Sequence, residues 1–339
     1  MELLADSNRA KNCLRSSLAA CLALGRTYAL VFPTWSVAAP SVSPTLHQEL
    51  KPQSSVVSPG PKRLVSCSLA SDEILLELLR RAHALDRLVA LSALVDDVHF
   101  SNVTVAAQAI RGRCGGELES LLSLRPDLVI LASYNRPEWR ARLTGAHIAM
   151  HVLENFTSLN DLATHIRGLG DLVGATAAAN DLVREFSTVR AEVRAEVSAD
   201  SKMQPQAPKP TLLQFYQDGT VAGSGTLFDD LVHEAGGINA AAALGIQGWA
   251  QLSPERLLAL NPSALIAGGP ESSRATMLAN LRSMAGWREL PAVKSGHLIL
   301  LPEAELGATS QFAAVALKDL HRAVRDLQTQ AGTLSNTSK

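Results

Sequence analysis

Glu119-Ser-Leu-Leu-Ser-Leu-Arg-Pro126, which runs on into Asp-Leu-Val-Ile130, and Glu255-Arg-Leu-Leu-Ala-Leu-Asn-Pro262, which runs on into Ser-Ala-Leu-Ile266, are two copies of one phrase in a chain of 339 residues. In each copy an acidic residue opens an apolar helical stretch and leucines recur at matching places. A proline then closes the helix, because it lacks an N–H and disfavours the α conformation of the residue before it. The apolar run that follows, residues 128–131 or 264–267, has the length and composition of a buried parallel strand. A repeated helix-to-strand grammar predicts a chain built of two similar lobes.

Length and charge agree with two lobes and remove some partners. At roughly 100–200 residues per domain, 339 residues suggest about two domains. A hydrophobic content of 47 % is enough to fill their cores. The net charge is −1 and Lys and Arg are scattered, so the basic patch of a nucleic-acid binder is missing and no nucleic-acid partner is expected.

Residues 1–39 read as an export signal. Lys11 and Arg15 precede two apolar stretches, 18–24 and 28–37, and Ser36-Val-Ala38 offers the small residues a signal peptidase accepts, placing cleavage near Ala38 or Ala39. Leu18-Ala-Ala-Cys21 also spells a lipoprotein cleavage box, behind a very short apolar region. Neither apolar piece reaches the ~20 residues a helix needs to cross a bilayer. Residues 40–61, rich in Ser, Pro and Gln, read as a flexible leader. The expected location is the periplasm, with a lipid anchor as the alternative.

The body alternates strand and helix, which predicts an α/β fold with mainly parallel sheets. The first lobe covers 62–175, with strands at 63–66, 88–91, 128–131 and one ending at 153. A helix over 72–83 carries Ile74, Leu75, Leu78 and Leu79 on one face. In residues 177–197 the apolar positions Leu182, Phe186, Val189, Val193 and Val197 fall three or four apart, the mark of a long amphipathic helix. It is placed at 176–200 as a stiff strut. The second lobe covers 201–330, with a strand at 211–215, a Gly-containing loop at 216–225 and a helix ended by Gly236-Gly237; 331–339 is a polar tail. The expected fold class is α/β, two similar lobes with mainly parallel sheets joined by one long α-helix. Of four cysteines only Cys67 and Cys114 lie in the body; they read as two buried thiols, a disulfide being permitted outside the cytoplasm.

The body resembles the periplasmic substrate-binding proteins of ABC importers for ferric siderophores, haem and cobalamin. The resemblance covers about residues 62–327. It rests on five stretches in the family's order: Arg63-Leu-Val-Ser-Cys-Ser-Leu-Ala-Ser-Asp-Glu73, Leu121-Leu-Ser-Leu-Arg-Pro-Asp-Leu-Val129, Phe228-Asp-Asp-Leu-Val-His-Glu-Ala-Gly-Gly-Ile-Asn239, Leu252-Ser-Pro-Glu-Arg-Leu-Leu-Ala-Leu-Asn-Pro262 and Gly286-Trp-Arg-Glu-Leu-Pro-Ala-Val-Lys-Ser-Gly-His297. It implies a receptor that carries a metal chelate as cargo, holds no permanent cofactor or structural metal, and delivers to a membrane permease powered by a cytoplasmic ATPase. The strut further implies a small opening angle. By motif, Glu119 and Glu255 are the glutamates that dock on the permease, with Glu117 as a neighbour that could replace the first. Both sit in first helical turns, where the helix dipole favours a carboxylate in any protein.

Ligands of open α/β sheets meet the loops at the carboxyl ends of strands. That rule nominates Ser68, Asp96, Asp97, His99, Tyr134, Arg136, Phe156, Tyr216, Trp249 and Glu303. Trp249 falls where cobalamin-binding relatives carry a cleft tryptophan, whereas Arg113 and Ala132 stand where that subgroup has others. Arg113 and Arg136 are candidates to pair with an anionic chelate or a propionate. Competing classes have less behind them. Gly223-Ser224-Gly225 is not the Gly-x-Ser-x-Gly elbow of a hydrolase, so no enzyme is expected. There is no phosphate-binding Gly-x-x-x-x-Gly-Lys loop, and the nine histidines follow no ligand spacing that would mark a receptor for a free metal ion. A sensor or scavenger of the same chelates remains the alternative to transport, and a receptor for a free metal ion is a lesser variant.

Overall fold

The structure, a computed structural model, describes residues 60–115, 118–216 and 218–337. The expected export signal, the leader up to residue 59, and Glu117 lie outside the described residues. Strand β1 (Leu64–Ser66) leads into helix α1 (Leu69–Arg81), β2 (Leu88–Ser92), α2 (Thr104–Ala107) and β3 (Gly112–Cys114). Helix α3 (Leu118–Ser123) carries the first copy of the repeated phrase into β4 (Leu128–Ala132), followed by α4 (Pro137–Gly145), β5 (Ala149–Leu153) and α5 (Leu159–Leu172). These five strands form one parallel sheet in the order β3-β2-β1-β4-β5.

The strut is α6 (Thr176–Met203), 28 residues long, or about 42 Å at 1.5 Å per residue. Beyond it come β6 (Thr211–Gln214), β7 (Thr220–Ala222), α7 (Leu227–Glu234), β8 (Ile238–Asn239), α8 (Ala240–Ala243), β9 (Trp249–Gln251), α9 (Pro254–Leu260) and β10 (Ala264–Gly268). The chain ends through α10 (Arg274–Ser283), α11 (Pro291–Ser295), β11 (Leu298–Leu301), α12 (Glu303–Leu306) and α13 (Ala313–Thr337). A second parallel sheet has the order β11-β10-β6-β8.

The two phrases are structurally equivalent. In each lobe the strand after the phrase lies beside the lobe's first strand, β4 on β1 and β10 on β6, with the next strand of the sheet on its far side. Each helix also ends alike: Arg125 and Asn261, the residues before the prolines, take left-handed backbone with φ of 47° and 36°. The stop is therefore a left-handed cap before the proline rather than the extended residue a proline usually imposes.

Side chains alternate faces along each strand, and both faces are apolar, as a parallel sheet covered on both sides requires. Leu128 and Ile130 of β4 join one cluster while Val129 and Leu131 join another. The first cluster is continuous from Leu64 and Leu128 through Phe186 and Val193 of α6 to Leu212, Leu231 and Leu317 of the second lobe. Polar bolts run alongside it. Arg190 of α6, 7 % exposed, donates to Asn160 of the first lobe at 2.9 Å and to Glu234 of the second. Asp230 of α7 accepts the backbone N–H of Leu159 at 2.7 Å. The lobes are thus joined by packing and ion pairs as well as by the strut.

Three features differ from the sequence reading. Cys67 and Cys114 are disulfide-bonded, with Cα atoms 5.4 Å apart, in place of two thiols; the two follow or end strands that flank β2, and their approach past its end is a tertiary feature invisible in spacing. The stretch expected as a loop at 216–225 contains β7, which pairs antiparallel with β9, because three-residue strands are too short to show alternation. Finally α13 carries helix to Thr337, through residues expected as a tail.

Candidate functional site

Four of the predicted ligand residues form two aromatic groups, one on each lobe. On the first lobe the loop after β4 presents Tyr134, whose ring centroid is 5.4 Å from that of Phe156, just beyond β5. Phe156 in turn meets His165 of α5 edge-on at 4.7 Å. His165 was missed in the sequence because a single histidine in an amphipathic helix carries no signal of a ring partner nine residues earlier. Its Nε2 lies 2.6 Å from the Glu154 carbonyl, and burial holds its imidazole below the usual range.

On the second lobe Tyr216, after β6, lies 5.2 Å from Trp249, which is 40 % exposed. The β7–β9 ribbon creates this pair by bringing the two ends of its loops together. Burial raises the Tyr216 phenol, and the nearby Glu303 charge raises it further. Glu303 opens α12 just past β11 and is itself raised by burial. Its carboxylate lies against the end of β10: a Cβ on Gly268 would stand 1.8 Å from Oε2, so a larger residue there would have to displace the Glu303 side chain.

The two lobes touch beside these groups. Burial of the Tyr134 phenol pushes it up to about 12, against the lowering influence of the hydroxyls of Thr309, which follows α12 of the second lobe, and of Ser68 at the end of β1. Glu73, 2 % exposed, accepts from Asn102 Nδ2 at 2.9 Å and from the Asn102 backbone N–H at 3.1 Å, and takes the Ser310 hydroxyl from across the interface. Asn102 also donates to the Ala304 carbonyl at 2.8 Å, and Gln311 to the Glu73 carbonyl at 3.0 Å. Burial raises the Glu73 carboxyl. None of this network was legible in sequence, since its members lie on four separate segments.

The other candidates also have places in their own lobes. Ser68 is the buried N-cap of α1, accepting the Ser71 N–H at 3.3 Å. Asp97 accepts the His99 N–H at 2.9 Å and so shapes its own turn; His99 is exposed. Asp96 and Arg113 form a two-pronged pair with both contacts at 2.7 Å, and further guanidinium donors reach the carbonyls of Ile110 and Gly112. That pairing turns Arg113 towards its own lobe, away from the anion-binding duty expected of it. Arg136 is an exposed residue at the start of α4. Gly223 is glycine because a Cβ there would lie 2.2 Å from the Ile246 carbonyl, which accounts for the Gly-Ser-Gly run structurally. Among the described residues no group of three or more His, Cys, Asp or Glu is placed to hold a metal ion, and no helix is long and apolar enough to cross a membrane.

Glu119 and Glu255 are exposed at the starts of α3 and α9. Glu119 forms an exposed ion pair with Arg142 at 2.7 Å. Glu255 lies behind the Ser253 cap and Pro254, and its own backbone N–H with the Ser253 hydroxyl holds its carboxyl below the usual range.

A pair of α/β lobes bolted to one long helix, with aromatic groups at the carboxyl ends of both sheets, is the architecture of a two-lobed binding protein. Residues 64–305 match the family described as Periplasmic binding protein, and the chain belongs to that family, a family of binding proteins rather than enzymes. An uncharacterized ABC transporter substrate-binding lipoprotein, YvrC, of Bacillus subtilis is 23 % identical over 261 residues, 75 % of this chain and 76 % of that protein. A cobalamin-binding protein of Halobacterium salinarum is 28 % identical over 154 residues, and the match spans 44 % of this chain and only 40 % of that protein. Among solved structures, the periplasmic heme-binding protein RhuT from Roseiflexus sp. RS-1 in apo form superposes with a TM-score of 0.66 at 25 % identity, covering 79 % of this chain and 100 % of that one.

Proposed function

We propose that the protein is an extracytoplasmic receptor that holds a metal chelate, whether haem, cobalamin or a ferric siderophore, between its two lobes and hands it to an ABC permease driven by a cytoplasmic ATPase. The observation that carries this reading is the pair of aromatic groups, Tyr134 with Phe156 and Tyr216 with Trp249, at the carboxyl ends of the two sheets. Large flat chelates are held by apolar faces with a few polar anchors. Ser68, Asp97, Arg136 and Glu303 are the anchors proposed here. Relatives described as binding haem and cobalamin support the same cargo class.

The disulfide supports export, because such bonds persist in oxidising compartments and this one ties two buried residues of the first lobe. Glu119 and Glu255 are the proposed docking points, one on each copy of the repeated phrase. The exposed Glu119–Arg142 pair is no obstacle, since surface pairs of this kind are worth about 0–1 kcal/mol.

The test is tryptophan fluorescence of the full chain titrated with hemin, cyanocobalamin and a panel of ferric siderophores. Trp287 is buried and Trp249 exposed, so an occupied site should quench the signal of Trp249. Saturable quenching by one class at micromolar concentration, lost in Trp249→Ala, is the expected result. No saturable response to any class would overturn the proposal.

A further inference from the structure

The segments that follow the strands of the second parallel sheet, residues 215–226, 240–253, 269–273 and 302–312, contain Asp218, Glu271, Glu303 and Glu305 but no Lys, Arg or His. Asp218 accepts the Thr220 N–H at 2.9 Å, and Glu271 is paired with Arg274 at 2.8 Å. Glu303 differs from both. It is half-buried, and among the described residues its carboxylate has no hydrogen-bond or ion-pair partner.

The sheet fixes where this carboxylate stands. β10 lies between β6 and β11, with Ile266 opposite Gln214 and Gly268 opposite Leu301. Tyr216 comes just past the end of β6 and Glu303 just past the end of β11. Because Gly268 has no side chain, the Glu303 carboxylate lies against β10, with Oε2 1.8 Å from the place a Cβ would take. It therefore leans from its own strand across towards β6, the side of the Tyr216–Trp249 pair, whose ring centroids are 5.2 Å apart. Ala304, the next residue, accepts from Asn102 of the first lobe at 2.8 Å. The carboxylate thus stands beside the line where the lobes meet.

Drawing a carboxylate partly out of water without a partner costs free energy that an arriving cation returns. Aromatic faces attract the same guest, since the ring quadrupole is negative over the face and tryptophan is the best of the rings. Trp249 is 40 % exposed and so open to it. An anion would find no Lys, Arg or His in any of the four segments to receive it. We propose that Glu303, with Tyr216 and Trp249, seats a positively charged group carried by the cargo, an ammonium in the simplest case, and so selects chelates with a cationic arm over anionic ones. The inference rests on the receptor reading and narrows its cargo: hemin, with its propionates, and ferric tricatecholates are disfavoured.

The test titrates the full chain with ferrioxamine B, a ferric trihydroxamate that carries a free ammonium, and with its N-acetylated form, which keeps the core and loses the charge. Hemin, cyanocobalamin and a ferric tricatecholate are titrated beside them. Ferrioxamine B should bind about tenfold more tightly than the acetylated form, the scale of one matched charge pair in a half-buried site. The preference should shrink as salt is added. It should fall to parity in Glu303→Gln and hold in Glu271→Gln, whose carboxylate already has Arg274. Equal binding of the two forms, a preference that survives Glu303→Gln, or saturable binding confined to hemin, cyanocobalamin or the tricatecholate would overturn the inference and leave the receptor reading standing. No saturable binding of any chelate would overturn both.

Discussion

Replacing Cys67 and Cys114 together by serine should lower the stability of the body by about 4 kcal/mol. The two residues are 47 apart in sequence, and opening a loop of that size returns to the unfolded chain entropy worth about 4 kcal/mol at 25 °C. Both are nearly buried, at 5 % and 4 % exposure, and the bond spans β2 between the ends of β1 and β3. Serine at these sites therefore adds two small polar groups to an apolar cluster and makes the estimate a lower figure. The assay is equilibrium guanidinium unfolding of oxidised wild type, reduced wild type and the double variant, with mass spectrometry establishing the bond in the oxidised sample. Reduced wild type and the variant should agree to within about 1 kcal/mol, because both lose the same constraint. If the bond is present in the oxidised protein and the variant is still within about 1 kcal/mol of it, the loop-entropy reasoning is wrong for this fold.

Two further outcomes follow from the buried charges. Arg190→Met strips Glu234, whose side chain is 11 % exposed, of its buried partner and leaves it only Arg194 at 2.6 Å; breaking such a pair should destabilise by about 3 kcal/mol, read as a lowered denaturation midpoint, and a change below about 1 kcal/mol would contradict the bolt assigned to this pair. Asp72 has its carboxyl raised from 3.8 to about 7, mainly by burial, so the folded state holds the proton more tightly than the unfolded one. Its contribution to stability is full below about pH 4 and lost as pH rises through about 7. Wild type should therefore lose on the order of 4 kcal/mol relative to Asp72→Asn across that window, measured by unfolding at a series of pH values; parallel pH profiles for the two proteins would refute it.

The readable parts of this fold were those written as local periodicity. The phrase opened by Glu119 and Glu255 exposed the lobe repeat, since helix, proline stop and apolar strand all fall within one short window. The long helix was legible because Leu182, Phe186 and Val193 recur at helical spacing, and all three are buried in the structure. Arg190 in the same helix carries no signal that sets it apart from the other charged residues there, yet it reaches both lobes. Among the site residues, Tyr134, Phe156, Tyr216 and Trp249 were found by the rule that ligands meet strand ends, but that rule does not say which loops converge. It equally nominated Asp96, which pairs with Arg113 of β3, and Asp97, which accepts the N–H of His99 in its own turn.

Sequence by itself determined the number of lobes, the parallel sheets, the strut and the set of loops from which a site can be drawn, because helix and strand periods, proline stops and glycine caps act within a few residues. Only the tertiary structure decided that Cys67 meets Cys114, that Glu73 takes the hydroxyl of Ser310 across 237 positions, and that Arg190 reaches both Asn160 and Glu234. Those contacts depend on how whole sheets and helices pack, and packing selects partners by shape and burial that no local pattern of residues records.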